Sequence, residues 1–512
     1  MADAPERPGN RGRPGHRERE VKLSAWPGFE LPDLADIGEG LTCEPLDPRD
    51  LDAVYYDTPD LRLARWGVTL RCRSGDGVGW TVKLPEGEDG PALVRREMPF
   101  PVPPGAPPEP ACDLLRAYVR SARLVPVAHL RTRRQGVVLR DGEAHRLAEV
   151  VDDEVTVLDG RRVAARFREV EVEVDGRAPE RLLDNVLGRL HEAGAGEPDP
   201  TPKVFRALGA RATAPPEVTV PEPGDDATAG DVVQAAIAGS VIRVLVHDAG
   251  VRLGDDPEDV HQARVGTRRL RSDLRTFRPL LAVEWSEPLR DELCWLASLL
   301  GAVRDADVLT ERLRHEAAAL PDVDAAGFAP ALRRLTEERE AARTRLVEAM
   351  AKARYVALLD DLVTAAATPL LRPEAKKSAL DVLPSLAARP WRQLRKAVNA
   401  LPSRPSDEEL HGVRIRAKRA RYAVEAVAPV EGKDARRLAA ALAEVQSVLG
   451  DHHDAVVAEA WLRRAVAGAD ASQALALGEL VAAERAAASH DRKRFRSVWK
   501  KADRKKLRAW LS

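Results

Sequence analysis

The sequence predicts an α+β domain followed by an all-α domain, and three observations lead to this prediction. Between about residues 17 and 210, apolar and polar residues alternate with a period of two, which is typical of antiparallel strands. From Gly230 to the end the period changes to about 3.6, which is typical of amphipathic helices. Two segments of the helical part recur about 150 residues apart, which indicates a duplication.

The composition is that of a large protein that needs no disulfides or structural metal. The 512 residues include 80 basic and 81 acidic residues, so the formal net charge is -1. The four cysteines are scattered, which argues against a disulfide framework or a zinc site and favours a cytoplasmic location. Residues 1–16 are polar and rich in Pro, Gly and Arg, so we expect a disordered tail and no signal peptide. The most apolar run, residues 232–246, is predicted to be a core helix.

Residues 17–210 are predicted to form an antiparallel sheet of about eight strands, which is large enough to close into a barrel. Turn residues separate alternating segments such as AVYYDTP, WGVTLRCR, GWTVKLP and LVRREMPF. Helices are expected at residues 112–121 and 179–193. Residues 211–229 are rich in Pro and acidic residues and are predicted to be a linker.

Like charges share single faces of several predicted strands. The polar sets at alternate positions are Glu18, Glu20 and Lys22; Glu169, Glu171 and Glu173; Arg71 and Arg73; Thr81 and Lys83; and Arg131 and Arg133. A solvated polar face is the simplest explanation for any one of these strands. It explains the whole set less well, because like charges on one face repel each other. If the faces line the inside of a closed sheet, the carboxylates would suit a divalent cation and the basic residues a triphosphate.

These residues resemble the CYTH superfamily of triphosphate tunnel metalloenzymes over nearly all of residues 17–210. The matching features are the E-x-E-x-K opening at Glu18, the segments YYDTPDLRLARWGVTLRCR and WTVKLP, the EVEVEV run, and TPKVFRAL with Lys203. The resemblance implies an eight-stranded antiparallel tunnel that hydrolyses a triphosphate with Mg²⁺ or Mn²⁺ as its cofactor.

The resemblance also implies roles for individual residues. The implied metal ligands are Glu18, Glu20, Glu171, Glu173 and an acidic position that matches Asp152 or Asp153. The implied phosphate-binding residues are Lys22, Arg71, Arg73, Lys83, Arg131, Arg133 and Lys203. The implied catalytic residues are Lys22, together with Glu169 or Glu171 as general base. One departure is Pro99, which stands where relatives carry a second glutamate after Glu97 and would weaken a second metal site.

The helical domain, residues 230–512, is predicted to consist of two related halves, at about residues 230–370 and 376–512. The segment HQARVGTRRLRSDLR, from His261, matches HGVRIRAKRARYAVE, from His411. Further along, LASLLGAVRDADVLTERL matches LAEVQSVLGDHHDAVVAEAWL. Two matches at nearly one offset predict two helical bundles of about four helices each, related by duplication.

A stripe of basic residues recurs in both halves. Its members, three or four residues apart on a helix, are His261, Arg264, Arg268, Arg271 and Arg275 in the first half and His411, Arg414, Lys418 and Arg421 in the second. One such stripe is explained equally well by a solvated face. Its duplication favours a polyanion partner, and the scarcity of interleaved aromatic residues disfavours nucleic acid.

Residues 230–512 resemble the CHAD family of helical domains, which are characterised by histidines. The resemblance implies binding of long-chain inorganic polyphosphate, and CYTH and CHAD domains occur fused in bacterial proteins. The first hypothesis is therefore a metal-dependent enzyme that hydrolyses inorganic tripolyphosphate to pyrophosphate and phosphate. Its helical half would bind polyphosphate and hold the enzyme there. The alternative is a non-catalytic polyphosphate-binding protein whose tunnel binds triphosphate without hydrolysing it. Either protein would act in the cytoplasm at polyphosphate granules, without a membrane partner.

Overall fold

The computed structural model describes residues 16–511 except 76, 78, 90, 91 and 225, without the side chains of residues 16–18, 88, 89, 180 and 323. The chain divides into two compact units, Met1–Pro216 and Glu217–Ser512. This division falls inside the predicted linker of residues 211–229. Of the predicted disordered tail, residues 1–15 lie outside the described residues, and His16 begins the first strand.

Among its described residues, the first unit contains eight strands that close into an antiparallel barrel. Along the chain the strands are β1 (His16–Ala25), β2 (Thr42–Asp57), β3 (Thr69–Ser74), β4 (Gly79–Asp89), β5 (Ala92–Phe100), β6 (Val125–Arg140), β7 (Arg146–Asp159) and β8 (Arg162–Val174). Around the barrel the order is β1-β5-β4-β3-β2-β6-β7-β8, and β8 pairs with β1 to close the sheet. The predicted closed sheet of eight strands is confirmed.

Short helices cover this barrel and pack into it. They are α1 (Arg62–Arg65), α2 (Glu109–Leu114), α3 (Arg116–Val119), α4 (Glu180–Glu192) and α5 (Lys203–Leu208). The fully buried Val186 of α4 packs in one apolar core with Val172 of β8. Phe205 of α5 belongs to a second core, with Leu130 of β6 and Val155 of β7. Helix α5 therefore brings the residue at its start, Lys203, against the barrel.

The alternation of each strand decides which side chains enter the barrel. On β1, Val21 and Leu23 are buried in the core that contains α4, while Glu20 and Lys22 line the lumen. Successive side chains on a strand point to opposite faces, so burying the apolar set under α4 sends the charged set inward. Strand β8 shows the same division between its valines and its glutamates.

The second unit is helical and repeats one packing order. Its helices are α6 (Ala229–Leu253), α7 (Pro257–Thr276), α8 (Val283–Ala317), α9 (Asp322–Ala325), α10 (Ala329–Met350), α11 (Ala353–Ala367), α12 (Ala379–Asn399), α13 (Asp407–Glu431), α14 (Lys433–Ala465), α15 (Ala471–Ala502) and α16 (Lys505–Arg508). In the first half α6 packs on α7, α7 on α8 and α8 on α10. In the second, α12 packs on α13, α13 on α14 and α14 on α15. The common order agrees with the predicted duplication.

Helix α6 contains the apolar run of residues 232–246. Among the described residues it is the one helix long and apolar enough to cross a membrane by length and composition. Its residues Ile237, Val241 and Leu245 are fully buried in the helical unit. The structure therefore uses α6 as a core helix, as predicted.

Helices α7 and α13 carry the two basic stripes and pack against each other. The Asp256 carboxylate caps the start of α7, and Ser406 forms a capping box with Glu409 at the start of α13. Leu270 and Leu274 of α7 are fully buried, so the apolar side of this helix faces the core. The basic sides of both helices are left at the surface between them.

Candidate functional sites

The lumen of the barrel encloses a cavity of about 240 Å³ that is lined mainly by charged side chains. The charged residues of the lining are Glu20, Lys22, Arg49, Arg71, Arg73, Lys83, Arg95, Glu97, Arg134, Arg146, Glu149, Asp153, Glu171, Glu173 and Lys203. Charged groups seldom lie inside a protein unless each has a partner of opposite sign. The lumen is therefore best understood through its ion pairs.

Lys22 lies among the carboxylates of β1 and β8. Its Nζ contacts the Glu171 carboxylate and lies 3.2 Å from Glu20 Oε2. Glu169 Oε1, deeper in the barrel, is 4.0 Å away. Burial would raise the pKa of Glu20, but the charges of Lys22 and Arg95 outweigh burial and lower it to about 2. Glu20 is therefore ionised throughout the physiological pH range.

Lys203 reaches the same cluster from α5. Its Nζ lies 2.7 Å from Asp153 Oδ2 and 3.0 Å from Glu169 Oε1. Glu171 Oε1 is 2.8 Å away. Burial opposes the charge of Lys203, but these carboxylates raise its pKa above the ordinary value. Burial likewise opposes the charge of Glu171, yet Lys203 and Lys22 hold the pKa of Glu171 well below its usual range.

The basic side of the lumen comes from β3, β4 and β5. Lys83 Nζ lies 2.8 Å from Glu97 Oε2, and Arg71 Nη2 lies 3.9 Å from the same oxygen. Arg95 of β5 contacts Glu20 of β1, the neighbouring strand. The expected acidic and basic walls are both present. Each wall, however, also holds residues of the opposite sign, so the separation of charge is less complete than the sequence suggested.

The expected lumen positions of Arg131 and Arg133 are wrong. Both side chains are exposed on the outer face of β6, where Arg131 Nε lies 3.0 Å from Asp52 Oδ2 of β2. The lumen position belongs to Arg134, whose Nη2 lies 2.6 Å from Asp153 Oδ2. The run RTRR offers a basic residue to each face of the strand, and Asp52 on β2 stabilises Arg131 on the outer face.

Of the two candidate aspartates, Asp153 faces the lumen and Asp152 does not. Both Asp152 oxygens accept hydrogen bonds from Arg168 on the outer face, at 2.8 and 2.5 Å. Asp153 is fully buried, and its carboxylate binds Lys203 and Arg134. Burial alone would raise the pKa of Asp153, but Lys203 and Arg134 lower it. Asp152 is therefore ruled out as a metal ligand of the lumen.

The other predicted residues of the tunnel divide into three groups. Those that line the cavity are Glu20, Lys22, Arg71, Arg73, Lys83, Glu171, Glu173 and Lys203. Glu169 is fully buried, and its Oε2 lies 3.4 Å from Arg206 of α5. The backbone of Glu18 pairs with that of Arg95, while the Glu18 side chain lies outside the described residues.

Sequence reasoning missed several residues of the lumen, among them Arg95, Arg134, Glu149 and Tyr55. Burial would raise the pKa of the Tyr55 hydroxyl, but Arg71 and Lys203 lower it. Arg95 shares the face of Glu97 on β5, and this spacing of two was the signal available in the sequence.

Three carboxylates form a row across neighbouring strands. Glu20 is paired in register with Glu173, and Glu173 with Glu149. Burial raises the pKa of Glu173, and Arg146, whose Nη2 is 2.9 Å from Glu173 Oε1, opposes that rise. Carboxylate oxygens suit hard cations such as Mg²⁺ or Mn²⁺, so the donor chemistry fits the expected cofactor. Within the described part of the chain, no three His, Cys, Asp or Glu side chains are grouped closely enough to hold a metal ion by themselves.

In the helical unit, the packing of α7 on α13 brings the two basic stripes together. We call the surface formed by Arg264, Arg268, Arg414 and Lys418 the central groove. Burial and the charges of Arg268, Arg414 and Arg264 lower the pKa of Lys418 to about 7. Burial also lowers the pKa of Arg414, and Arg268 and Arg264 lower it further. Arg264 Nη2 lies 2.9 Å from Asp305 Oδ1 and Arg414 Nη2 lies 3.9 Å from Asp454 Oδ1, so two carboxylates at the edge of the groove offset part of this charge. The lowered pKa of Lys418 shows that positive charge still dominates, as expected of a site for a polyanion.

Histidines lie at one end of the central groove. His411 Nδ1 is 3.1 Å from Nδ1 of His453, a residue that lies outside the predicted basic stripes. Burial, followed by the charges of Arg414 and other neighbours, lowers the pKa of His453 to about 4. Burial and Arg304 lower the pKa of His261. At neutral pH these imidazoles would offer hydrogen bonds to phosphate oxygens without adding full positive charges.

The far ends of the two stripes differ in charge. On α7 the stripe continues through Arg271 and Arg275, but the position that matches Arg275 in the second half is Glu425. Arg421 Nε lies 2.6 Å from Glu425 Oε1, and Arg269 Nη1 lies 3.0 Å from Glu425 Oε2. Arg421 is thus neutralised by a carboxylate, and the basic surface is asymmetric.

Comparison with known proteins finds two domain families in this chain. The CYTH domain matches residues 16–199 and the CHAD domain residues 235–463. The uncharacterized protein Rv2226 of Mycobacterium tuberculosis is 33% identical over 493 residues, which is 90% of each chain. PptA from Streptomyces chartreusis is 27% identical, with a TM-score of 0.46 over 54% of this chain and 100% of its own. The CHAD domain from the plant Ricinus communis is 28% identical, with a TM-score of 0.45 over 56% of this chain and 96% of its own.

Proposed function

The chain belongs to the CYTH and CHAD families, and we propose that it is a metal-dependent triphosphatase whose helical unit binds inorganic polyphosphate. The observation that carries the proposal is the lumen, where carboxylates of β1, β7 and β8 and basic residues of β3, β4 and β5 line one cavity. A triphosphate with a bound divalent cation presents both signs of charge to such a lining. Inorganic tripolyphosphate is the proposed substrate, since the lining is dominated by charge and not by aromatic rings that would stack on a base.

In this proposal the basic side of the lumen holds the phosphate chain. Arg71, Arg73, Lys83 and Arg95 would donate to phosphate oxygens and spread the negative charge that grows on the leaving group. A divalent cation held by lumen glutamates would neutralise further charge on the phosphate oxygens. Arg71, Lys83 and Arg95 already lie within 4.0 Å of lumen carboxylates, so their orientation requires little rearrangement on binding.

Glu171 is better placed than Glu169 to position the attacking water. Glu171 lines the cavity, whereas Glu169 is fully buried against Lys203 and Arg206. Because its pKa lies well below the usual range, Glu171 is a weak base. We therefore assign it the role of accepting a hydrogen bond from the water and orienting it, while the proton leaves to solvent or phosphate.

Phosphate release from tripolyphosphate with added Mg²⁺ or Mn²⁺ tests the proposal. The Glu18→Gln, Glu20→Gln variant should lose about a hundredfold or more of the activity, because transition-state charge is no longer neutralised. Glu154→Gln is a suitable control, since Glu154 is exposed and lies 3.8 Å from Arg168, outside the lumen lining. Equal phosphate release by the wild type and the double variant would contradict the enzymatic assignment. Parallel assays with nucleoside and thiamine triphosphates would define the substrate.

A non-catalytic tunnel is the second candidate, and two observations favour it. Lys22 and Lys203 occupy the carboxylates that would hold the cation, and Pro99 stands where relatives have a glutamate. This reading predicts that tripolyphosphate binds in calorimetry with Mg²⁺ present while no phosphate is released. Release that depends on Glu20 would eliminate it.

For the helical unit, the proposed ligand is long-chain inorganic polyphosphate bound in the central groove. Changing Arg264, Arg268, Arg414 and Lys418 together to alanine should abolish measurable binding of the polymer, because charge-assisted contacts are lost. Duplex and single-stranded DNA serve as competitors, and equal competition by DNA would point to nucleic acid instead. Polymer binding would also place the protein at polyphosphate granules in the cytoplasm, a location that stays a prediction.

A further inference from the structure

A second cationic cavity lies at the end of α7, outside the central groove, with a volume of about 470 Å³. Arg275 ends the stripe of α7, and Arg278 follows in the next turn. Arg372 precedes α12, Arg389 lies on α12 and Arg419 on α13. We call this cavity, defined by the five arginines, the arginine pocket.

The positive charge of the arginine pocket is poorly compensated. Among the described residues, Arg275, Arg389 and Arg419 make no ion pair with a carboxylate within 4.0 Å, whereas the other two arginines have carboxylates at 2.9 and 4.0 Å. Burial lowers the pKa of Arg275, and Arg419 lowers it further. Cations gathered without counter-charges repel one another, so an anion in the pocket would relieve a real cost.

The pocket continues the central groove. A smaller cavity of about 210 Å³ shares Arg268 and Lys418 with the groove, and Arg275 and Arg419 with the pocket. Arg271 lines this connection as well. A polyanion lying in the groove would therefore meet an unbroken series of cations toward the end of α7.

Among the described residues, the second half offers no equivalent continuation. There Glu425 replaces the arginine of the first half and binds both Arg421 and Arg269. A carboxylate at this position repels a phosphate chain and neutralises the cations beside it. The series of cations thus extends beyond the groove toward the end of α7. Toward the end of α13, Glu425 interrupts it.

We propose that the arginine pocket binds the terminal phosphate group of an inorganic polyphosphate chain whose following units lie in the central groove. A terminal phosphate differs from an internal one by an additional free oxygen and an ionisation near neutral pH, so it carries more charge. Several converging guanidinium groups are the protein's usual means of binding such a group. The inference rests on the proposed binding of polyphosphate by the groove.

The test compares two forms of long-chain polyphosphate on the full chain, one with free ends and one whose terminal phosphates are capped as bulky phosphoramidates. All variants carry Arg71→Ala and Arg73→Ala, which weaken binding of free ends by the tunnel. Arg389→Gln should lower the affinity for free-ended polymer roughly tenfold and leave that for capped polymer unchanged, because one charge-assisted contact is lost. Arg389 is exposed, so the substitution should not disturb folding.

Arg392→Gln is the matched control, since it removes the same charge from α12 outside the pocket lining and should change neither affinity by more than about twofold. The proposal is overturned if the protein that carries only Arg71→Ala and Arg73→Ala binds both polymers equally. It is also overturned if Arg389→Gln weakens the binding of both polymers to the same extent. A separate variant, Arg268→Ala with Lys418→Ala, reports on the groove. If this variant still binds capped polymer normally, the proposed function of the groove fails, whatever the result at the pocket.

Discussion

The barrel lumen and the central groove both gather arginine and lysine, but only the lumen matches them with buried carboxylates. In the lumen, Lys22 and Lys203 each lie within 4.0 Å of Glu169 and Glu171. In the groove, neighbouring arginines surround Lys418 and lower its pKa to about 7. A cluster whose charges are matched fixes its own side chains before a ligand arrives, whereas a cluster with an excess of positive charge attracts a polyanion from solution. In the proposed function, the two units would therefore recognise phosphate by different means.

The largest expected effect concerns the matched cluster of the lumen. Glu171→Gln removes a carboxylate that contacts Lys22, Lys203 and Arg134, and should lower kcat for tripolyphosphate by roughly 10²–10³. Steady-state assays of phosphate release measure it, with Glu154→Gln on the outer face as the control. Unchanged kcat in Glu171→Gln would show that the lumen ion pairs serve only to stabilise the barrel.

The next largest effect should come from salt, which should weaken phosphate binding at the two sites to different extents. Each phosphate contact with a single-stranded polyanion contributes a log–log slope of about -0.7, so four groove cations predict a loss of roughly 50-fold between about 50 and 200 mM salt. The KM for tripolyphosphate should change much less, because the lumen cations are buried in ion pairs that salt screens poorly. Titrations across salt concentrations measure both. Equal salt dependence at the two sites would contradict the proposed difference in how they recognise phosphate.

A change of pH should have a smaller effect on the affinity of the central groove for polyphosphate. Lys418 is charged below its pKa of about 7 in the free protein, and a bound polyanion would raise that pKa. Affinity is therefore highest below pH 7 and should fall by up to about tenfold as the pH rises above it. His453, with a pKa of about 4, stays uncharged over this range. Calorimetry at several pH values provides the measurement, and Lys418→Arg should flatten the profile because guanidinium keeps its charge.

The smallest effect tests the corrected face of β6. Arg131→Ala and Arg133→Ala should each change kcat and KM by less than about twofold, because both side chains lie outside the lumen. Arg134→Ala should be far more damaging, since it leaves the fully buried Asp153 with one cation fewer. Activity and thermal unfolding of the three variants decide the matter. A large loss of activity in Arg131→Ala, with Arg134→Ala unaffected, would reverse the assignment of the two faces.

Strict alternation is what made the fold predictable from the sequence. In EVEVEV each glutamate alternates with a valine, so apolar burial leaves Glu171 and Glu173 only the lumen. Adjacent residues of like charge gave no such guide. RTRR and VVDD place a charge on both faces of a strand. Which of these charges faces outward depends on partners on other strands, Asp52 for Arg131 and Arg168 for Asp152.

Residues that depend on packing between distant elements were the hardest to place. The position of Lys203 was available only from the family resemblance, because α5 must pack into the barrel to bring it there. The basic stripes were visible as a helical period, but their convergence requires α7 to lie against α13. The same packing allows Glu425 of α13 to bind Arg269 of α7, which no local pattern indicates.

Closure of the sheet affects how copies of the chain would behave when many of them lie close together. Each of the eight strands has a hydrogen-bonded neighbour on both sides, because β1 joins β8 as well as β5. Copies of the chain recruited to one long polymer would be held at high local concentration, where an open sheet would present backbone groups to its neighbours and invite aggregation. A closed sheet presents no such edge, so copies that bind one polymer, as proposed, would have no open strand through which to pair with one another.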